Sequence, residues 1–387
     1  MSKIPLKKVA AASLLMISAV APALAGPTIN LIDIGGVTGT QAEQGFKIAA
    51  KYWESVLTNN AVLNFRVGYS ALGPGILGST GSNLATYVPV SAYYSLLGAT
   101  GNSSLDATAF ANRPPLSGTD SLTVTVPNYF NPAATEGVAG SGSRIAPDGT
   151  AISSTIALST ANLKALTGGY EGIVDAEIQF SSDFAFDFNP TDGISAGKYD
   201  FIGVAVHEMG HALGFISGAD DFNYSVGGGF QTDDYWWGYG ADMFRYSAPG
   251  VLDWTFGTDS YFSIDGGVTP YQDGYFSTGA VYGDGWQASH WKEPGTPCVD
   301  FRGIMNPYIC NGLTDSVEAL DLALFDAIGW NTNIDVQANP RYEFSTAQMY
   351  AAFAVPEPTG WMLMVAALGV LGGVMRRQRQ RPSPSTA

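Results

Sequence analysis

The chain is poor in histidine, cysteine and positive charge. Its 387 residues include 3 His, 2 Cys and 18 Lys plus Arg, against 34 Asp plus Glu, so the formal net charge is −16. Proteins bind a phosphate backbone through many Lys and Arg contacts, so this charge balance argues against nucleic-acid binding. An acidic surface is typical of a soluble exported protein, and it leaves calcium as an additional candidate ligand.

The N-terminal segment carries no acidic residue and has the form of an export signal. Three lysines precede an apolar run over residues 9–20, which is too short to favour a transmembrane helix. A small-x-small sequence at residues 23–25 predicts a signal peptide over residues 1–25, cleaved by signal peptidase before Gly26. The alternative is an uncleaved membrane anchor.

A second apolar segment lies near the C-terminus. The sequence V-P-E-P at residues 355–358 precedes a predicted hydrophobic helix over residues 360–375, and four arginines follow. This helix is marginal in length for a full membrane span, and the arginines predict a cytoplasmic end. The arrangement resembles the PEP-CTERM sorting signal of Gram-negative bacteria. That resemblance implies transient membrane contact, processing by an exosortase-type enzyme and delivery to the cell surface or medium; a retained anchor is the alternative.

Between these ends lie about 330 residues, enough for one large domain or two lobes. Periodicity predicts strands at residues 28–34, 61–69, 122–126 and 173–180, and helices at residues 40–57, 159–167 and 314–328. The first strand, helix and strand predict a βαβ-like opening with the helix packed against a sheet. Residues 346–387 are predicted to be a linker followed by the sorting segment.

The chemistry is concentrated in residues 199–218, which contain His207-Glu208-x-x-His211. On a helix, positions i and i+4 lie on one face, so both imidazoles can reach one zinc ion while Glu208 flanks its water. Asp200 is placed to cap this helix. The alternative is a buried helix with two incidental histidines, but buried imidazoles and a carboxylate are costly without a metal or hydrogen bonds.

A catalytic zinc needs a third protein ligand and an open position. His290 is the one histidine that remains in the sequence. Three alternatives stay open from the residues alone. The ligand could be Glu318, or it could be Asp220 or Asp221, and His290 could be a surface histidine.

The sequence H-E-x-x-H-x-x-G-F lies at residues 207–215. After a long insertion, S-H-W at residues 289–291 is followed by a methionine turn at residues 303–307. Together these two separated motifs resemble the metzincin zinc proteases, in particular the leishmanolysin-like branch. The resemblance implies zinc ligation by His207, His211 and His290, proton transfer by Glu208, a turn beneath the metal at Met305 and a sharp helix exit at Gly214.

The two cysteines, Cys298 and Cys310, bracket the methionine turn. Outside the cytoplasm a pair so spaced is expected to form a disulfide, which would brace the loop under the metal. Some metzincins place a tyrosine ligand two residues after the methionine. That position is Pro307 here, so Tyr308 is assigned no catalytic role.

The resemblance also implies the fold and the function. It predicts an α+β, zincin-type (metzincin-like) domain over residues 26–345, with a twisted mixed sheet and the active-site helix in an upper lobe (26–216). A β- and loop-rich lower lobe (217–345) would contribute His290. The predicted function is a secreted zinc endopeptidase that hydrolyses polypeptides. The alternative is a non-catalytic, zinc-containing surface or extracellular-matrix protein.

Two further features each leave two interpretations open. Residues 181–197 contain three aspartates that could bind calcium, although a solvated loop is the simpler interpretation. The insertion at residues 218–289 is rich in aromatic residues, which usually pack a core or line a cleft; a sugar-binding platform is the alternative.

Overall fold

The computed structural model describes residues 26–169, 172–296, 298–299 and 301–354. The predicted export signal, the V-P-E-P motif and the predicted hydrophobic helix at 360–375 lie outside these residues. Among the helices in the described ranges, none has both the length and the apolar character needed to span a bilayer.

The described residues form a mixed α+β fold. The strands are β1 Thr28–Gly35, β2 Val62–Ser70, β3 Gly78–Ser82, β4 Leu84–Pro89, β5 Val124–Pro127, β6 Ser143–Ile145, β7 Thr155–Ser159, β8 Ala176–Ser181, β9 Phe186–Asp187, β10 Tyr199–Asp200, β11 Arg245–Ala248, β12 Val251–Asp253, β13 Ser260–Phe262, β14 Tyr275–Phe276, β15 Ser316–Glu318 and β16 Glu343–Ser345. The helices are α1 Gln41–Val56, α2 Val90–Thr100, α3 Ser104–Ala111, α4 Ala151–Ser154, α5 Thr160–Thr167, α6 Phe201–Leu213, α7 Gly218–Tyr224, α8 Ala319–Ala327 and α9 Thr346–Phe353.

The N-terminal half builds a four-stranded mixed sheet in the order β1-β2-β8-β3. Strands β1, β2 and β8 run parallel, whereas β3 pairs antiparallel with β8 at the edge of the sheet. Because α1 connects the parallel neighbours β1 and β2, the predicted βαβ opening is confirmed. The strand predicted at residues 173–180 is also present, but it begins three residues later, at Ala176.

Helix α1 packs directly against the motif-bearing helix α6. Trp53 of α1 is fully buried, and its indole Nε1 donates to the backbone oxygen of Val206 at 3.2 Å. A side-chain carbon at Gly45 would lie 2.2 Å from the ring of Phe201, so only glycine permits this close approach. Two residues of α1, Gly45 and Trp53, therefore determine how closely α6 packs against it.

A second, six-stranded sheet has the order β14-β13-β11-β12-β5-β6. Strands β5 and β6 precede residue 216, and the other four strands follow it. Strand β5 joins the later strands by parallel pairing with β12. The sheet therefore contains strands from both of the expected lobes, whose boundary was placed after residue 216. Three two-stranded sheets complete the fold, so the expected α+β class is confirmed as a set of small mixed sheets.

The helix predicted at residues 314–328 is shorter than the sequence pattern indicates. It begins at Ala319, because Ser316–Glu318 instead pairs antiparallel with β16, a strand about 25 residues later in the chain. All nine residues of α8 are buried and seven of them are apolar, which explains why the helical periodicity is visible in the sequence. The pairing of Ser316–Glu318 with β16 has no signal within the predicted helix itself, because its partner strand lies elsewhere in the chain.

Two buried carboxyl groups lie together at the start of α6. Asp200 caps the helix, and the backbone N–H of Asp315 donates to its Oδ2 at 3.3 Å. Among the described residues, Oδ2 of Asp315 has no hydrogen-bond partner. Burial and the neighbouring charge of Asp200 raise the pKa of Asp315 well above its ordinary value, and burial raises the pKa of Asp200 to about 6.

Asp315→Asn is expected to raise the melting temperature of the metal-free protein at pH 8 and to change it little near pH 4. A buried carboxyl with a raised pKa stabilises the fold fully below its unfolded-state pKa of about 4, where it is protonated. This contribution is lost as pH rises through the folded-state pKa. Asparagine carries no charge to desolvate, so the advantage of the variant should grow with pH, as thermal denaturation at several pH values would measure.

The matched control is Asp120→Asn, which removes the same charge from an exposed turn. Its melting temperature relative to the parent should not vary with pH in this way. An effect of Asp315→Asn that is equal at pH 4 and pH 8 would show that the carboxyl is not held neutral by burial.

Candidate metal centre

Helix α6 carries the H-E-x-x-H sequence, and both of its ends are fixed. At the start, Oδ1 of Asp200 accepts from the backbone N–H groups of Ile202 and Gly203 at 3.0 and 3.1 Å, as the capping prediction requires. At the end, Gly214 has a φ of +120°, a conformation that favours glycine, and the chain turns away there. Twelve of the thirteen helical residues are buried, so the motif faces the interior.

Three imidazole rings converge on one point. His207 and His211 come from α6, and His290 comes from the loop that follows β14. Their Nε2 atoms lie 3.0 Å apart for His207 and His211, 3.2 Å for His211 and His290, and 3.3 Å for His207 and His290. Among the described residues, these histidines form the group of three side chains able to hold a metal ion.

The other ring nitrogen of each histidine faces a backbone oxygen. The distances are 2.8 Å from His207 Nδ1 to Ile304 O, 2.7 Å from His211 Nδ1 to Phe215 O and 3.2 Å from His290 Nδ1 to Gln287 O. A carbonyl only accepts, so each Nδ1 carries the proton and each Nε2 presents a lone pair. Three lone pairs that point at one another cannot hydrogen-bond among themselves. A bound cation is the species that this donor set fits.

The rings are also held in their neutral, metal-binding form. Burial, together with the neighbouring His211 ring, lowers the pKa of His207 to about 3. Burial lowers the pKa of His211 to about 4, and it brings the pKa of His290 well below its ordinary value. At neutral pH all three imidazoles are therefore uncharged, with one proton on Nδ1 and a free lone pair on Nε2, as metal ligation requires.

Glu208 lies beside the three histidines and is held by the edge strand β3. Thr80 Oγ1 donates to Glu208 Oε2 at 2.7 Å. A side-chain carbon at Gly78 would lie 2.7 Å from Glu208 Oε1, so glycine at this position makes room for the carboxylate. The side chain is 6 % exposed, and burial raises its pKa to about 7. Strand β3 lies in a stretch of small and polar residues, and the sequence patterns did not reveal it.

The loop that carries His290 is fixed by Asp220, from the helix that follows α6. The two carboxylate oxygens of Asp220 accept from the backbone N–H groups of Ala288 and Ser289, at 2.6 and 2.9 Å. Asp220 was considered as a metal ligand from the sequence. Its carboxylate instead holds the two residues that precede His290.

The methionine turn is fixed by a second buried carboxylate, that of Asp321 in α8. It accepts from the backbone N–H groups of Ile304 at 2.9 Å and Met305 at 3.3 Å, and from the indole of Trp291 at 2.9 Å. It also accepts from the N–H of Glu318 at 2.8 Å. One side chain thus fixes Ile304, whose oxygen faces the His207 ring, and Trp291, which follows His290.

Met305 is fully buried and lies against α6 between its two histidines. A side-chain carbon at Gly210 would lie 2.5 Å from the Met305 sulfur, so glycine allows the turn to pack this closely. The cysteines on either side of the turn, Cys298 and Cys310, are disulfide-bonded with a Cα–Cα distance of 5.7 Å, as expected. Tyr308 lies further on, with its ring 5.2 Å from that of Trp286.

A cavity of about 920 Å³ opens beside the histidines. Most of its wall comes from five segments of the chain. These are the edge strand β3 with the residues before it, the face of α6 that carries the H-E-x-x-H residues, helix α7 and the segments around His290 and Met305. Its lining residues include His207, Glu208, His211 and His290 but no Lys and no Arg. The three ring nitrogens are therefore accessible to a molecule that enters the cavity.

The remaining ligand candidates, Glu318 and Asp221, do not belong to the group of three histidines that could hold a metal ion among the described residues. Glu318 is at the start of α8, where its backbone N–H bonds to Asp321. In the loop at residues 181–197, Asp187 accepts from Ser195, and the described loop contains no group of three carboxylates that could share an ion. Most aromatic residues of the insertion pack the core; Trp237, for example, stacks on Phe222 at 4.2 Å between ring centres.

Comparisons with protein-family models, with curated proteins and with solved structures each found no match to this chain. The residues themselves therefore carry the functional argument. They are three buried imidazoles with converging Nε2 atoms, a buried carboxylate beside them and a cavity that reaches both.

Proposed function

We propose that this chain is a secreted zinc-dependent endopeptidase with a zincin-type, metzincin-like catalytic domain. The observation that carries the proposal is the convergence of three neutral imidazoles beside buried Glu208, at the wall of a large cavity. A metal site used only for structure is usually closed by a fourth protein ligand. Three nitrogen ligands and open space are instead typical of a catalytic zinc site.

Zinc is the metal that this donor set suits best. Three imidazole nitrogens without a thiolate or an additional carboxylate are the ligands of several zinc hydrolases, whereas calcium and magnesium prefer oxygen. His207, His211 and His290 would hold the ion. When bound there, zinc would supply Lewis-acid activation of a water molecule and of the scissile carbonyl group.

Glu208 would perform the proton transfers. Its carboxylate would accept a proton from the attacking water and then deliver that proton to the leaving amine. The hydrogen bond from Thr80 to Oε2 orients the carboxylate and leaves Oε1 for this exchange. Burial keeps the pKa of Glu208 near neutrality, within the range in which a group can both accept and return a proton.

The edge strand β3 would align the substrate. One side of Gly78–Ser82 pairs with β8, and no strand of the described residues pairs with the other side. Residues of β3 line the cavity, so an extended polypeptide could add there as a further strand. Main-chain hydrogen bonds of this kind would place a peptide bond near Glu208 largely independently of its sequence.

The proposed localisation rests on the export signal and on the C-terminal sorting segment. The export signal would direct the chain across the inner membrane, where the disulfide can form. The C-terminal segment would contact the membrane transiently until an exosortase-type enzyme processes it. The enzyme would then act at the cell surface or in the medium.

The proposal is tested by metal content and proteolysis on the exported protein. About one zinc ion per chain is expected, together with hydrolysis of an unfolded protein such as casein. A chelator should abolish that hydrolysis, and added zinc should restore it. His290→Ala should lose both the zinc and the activity. Stoichiometric zinc without hydrolysis of any polypeptide would instead favour a non-catalytic surface or matrix protein.

A further inference from the structure

One carboxylate on the cavity wall is used neither to bind the metal nor to support its ligands. Asp221 lies in α7, next to Asp220, and lines the cavity together with Ser82, Tyr224 and Tyr239. Ser82 Oγ donates to the backbone oxygen of His211 at 3.1 Å, so this wall adjoins the C-terminal end of α6. Asp221 therefore faces the same cavity as the three histidines of the candidate metal centre.

The orientation of Asp221 is fixed, but its charge is not neutralised by the protein. The Tyr239 hydroxyl donates to its Oδ2 at 2.7 Å. None of the ion pairs among the described residues includes Asp221, and no Lys or Arg lines the cavity. The carboxylate is therefore held in place without a cationic partner.

The two acidic neighbours of Asp221, Asp220 and Asp242, differ from it because both accept hydrogen bonds from backbone N–H groups. Asp220 accepts from the loop before His290, and Asp242 accepts from Ser217 Oγ and from the backbone N–H of Gly218 and Tyr239. The buried guanidinium of Arg245 favours the charged form of both neighbours. Asp221 has no such support: burial, with the charges of Asp220 and Asp242, raises its pKa to about 6. A cation in the cavity would therefore be stabilised more by Asp221 than by Asp220 or Asp242.

We propose that Asp221 recognises a positively charged group of the substrate and so makes the enzyme select cationic peptides. The group would be a Lys or Arg side chain near the scissile bond, or the free N-terminal ammonium of a short peptide. This inference rests on the proposed peptidase function. Hydrogen bonds to charged groups are the strong ones in a partly buried site, and a site that lacks them discriminates less.

The test compares matched peptides on the zinc-loaded protein. Each set carries Lys, Arg or norleucine at one position within four residues of the cleaved bond, with the N-terminus either free or acetylated. We expect kcat/KM to favour the cationic peptides, and we expect Asp221→Asn to lower the cationic-to-norleucine ratio by about 10-fold or more, since a charged hydrogen bond contributes about that much. The control is Asp234→Asn, which removes the same charge from an exposed position outside the cavity lining.

A binding measurement separates this inference from the peptidase proposal. The same peptides, labelled at the C-terminus, are titrated into zinc-loaded Glu208→Gln protein with and without Asp221→Asn, and fluorescence anisotropy gives their Kd. The preference for cationic peptides should fall by a similar factor.

Each outcome decides one of the two proposals. Dependence on the side chain identifies Lys or Arg as the recognised group, and dependence on a free N-terminus identifies the ammonium. A ratio that is unchanged by Asp221→Asn, or changed equally by Asp234→Asn, would overturn the role of Asp221 alone. If the parent protein cleaves no peptide, the peptidase proposal fails, and the anisotropy ratio then decides the role of Asp221.

Discussion

Glu208→Gln is expected to lower kcat/KM for peptide hydrolysis by roughly 100- to 10,000-fold, the usual contribution of a positioned general base. Glutamine has the same shape and still accepts the hydrogen bond from Thr80, but it cannot take a proton from water. The three imidazoles are unchanged, so the variant should retain its zinc. Steady-state hydrolysis of a fluorogenic peptide, with metal analysis of the same sample, measures both quantities.

The control for this experiment is Glu177→Gln on strand β8. Its side chain is 45 % exposed and pairs at the surface with Arg66, so the same chemical change should leave activity within about twofold. If Glu208→Gln retained parent-level hydrolysis together with its zinc, the proton acceptor would have to be another group. If it lost zinc as well, the lower activity would carry no information about the base.

The parts of this fold that the sequence predicts are those specified locally. The apolar stripe of α1 and the alternation of β1 and β2 each lie within one continuous segment, and their order implies the parallel pairing. Helix α6 has a cap, a motif and a terminal glycine within about 15 residues. These signals require no knowledge of the rest of the chain.

The three clustered histidines were predictable for a different reason. His207 and His211 are related by helical spacing, and His290 is then the one histidine left in a chain that has three. The small number of histidines and the resemblance to a two-part motif were therefore enough to predict the three residues without a structure. The resemblance alone pointed to Met305, whereas the disulfide between Cys298 and Cys310 was expected from the spacing of the two cysteines in an exported chain.

The residues that hold Glu208, the loop before His290 and the methionine turn in place were not predictable, because their partners are distant in sequence. Strand β3 reaches Glu208 across about 130 residues, through a glycine and a threonine in an otherwise polar stretch. Asp220 holds a loop that begins 68 residues later. An aspartate near a helix start usually signals a cap, and Asp321 does form a capping box with Glu318. Its further bonds to the methionine turn have no local signature.

Asp321→Ala is therefore expected to have a large effect although Asp321 does not touch the metal site. It would leave four donors without an acceptor, and three of them are buried: the indole N–H of Trp291 and the backbone N–H groups of Ile304 and Met305. Each unsatisfied buried donor costs about 1–3 kcal/mol, so unfolding free energy should fall by roughly 3 kcal/mol or more. Because Ile304 O orients the His207 ring, zinc affinity should fall by about 10- to 100-fold.

Comparison with Asp335→Ala separates this positioning role from the loss of any aspartate. Asp335 also accepts two backbone N–H groups, those of Gln337 and Ala338, but it is exposed, so water can replace its carboxylate. Its removal should cost far less stability and leave zinc affinity unchanged. Asp321→Asn keeps the volume but turns an amide N–H₂ toward the donors, so its effect should lie between the two. Chemical denaturation of the metal-free protein and zinc titration with a competing chelator measure both effects. Unchanged zinc affinity in Asp321→Ala, with the fold intact, would mean that the methionine turn keeps its position without this carboxylate.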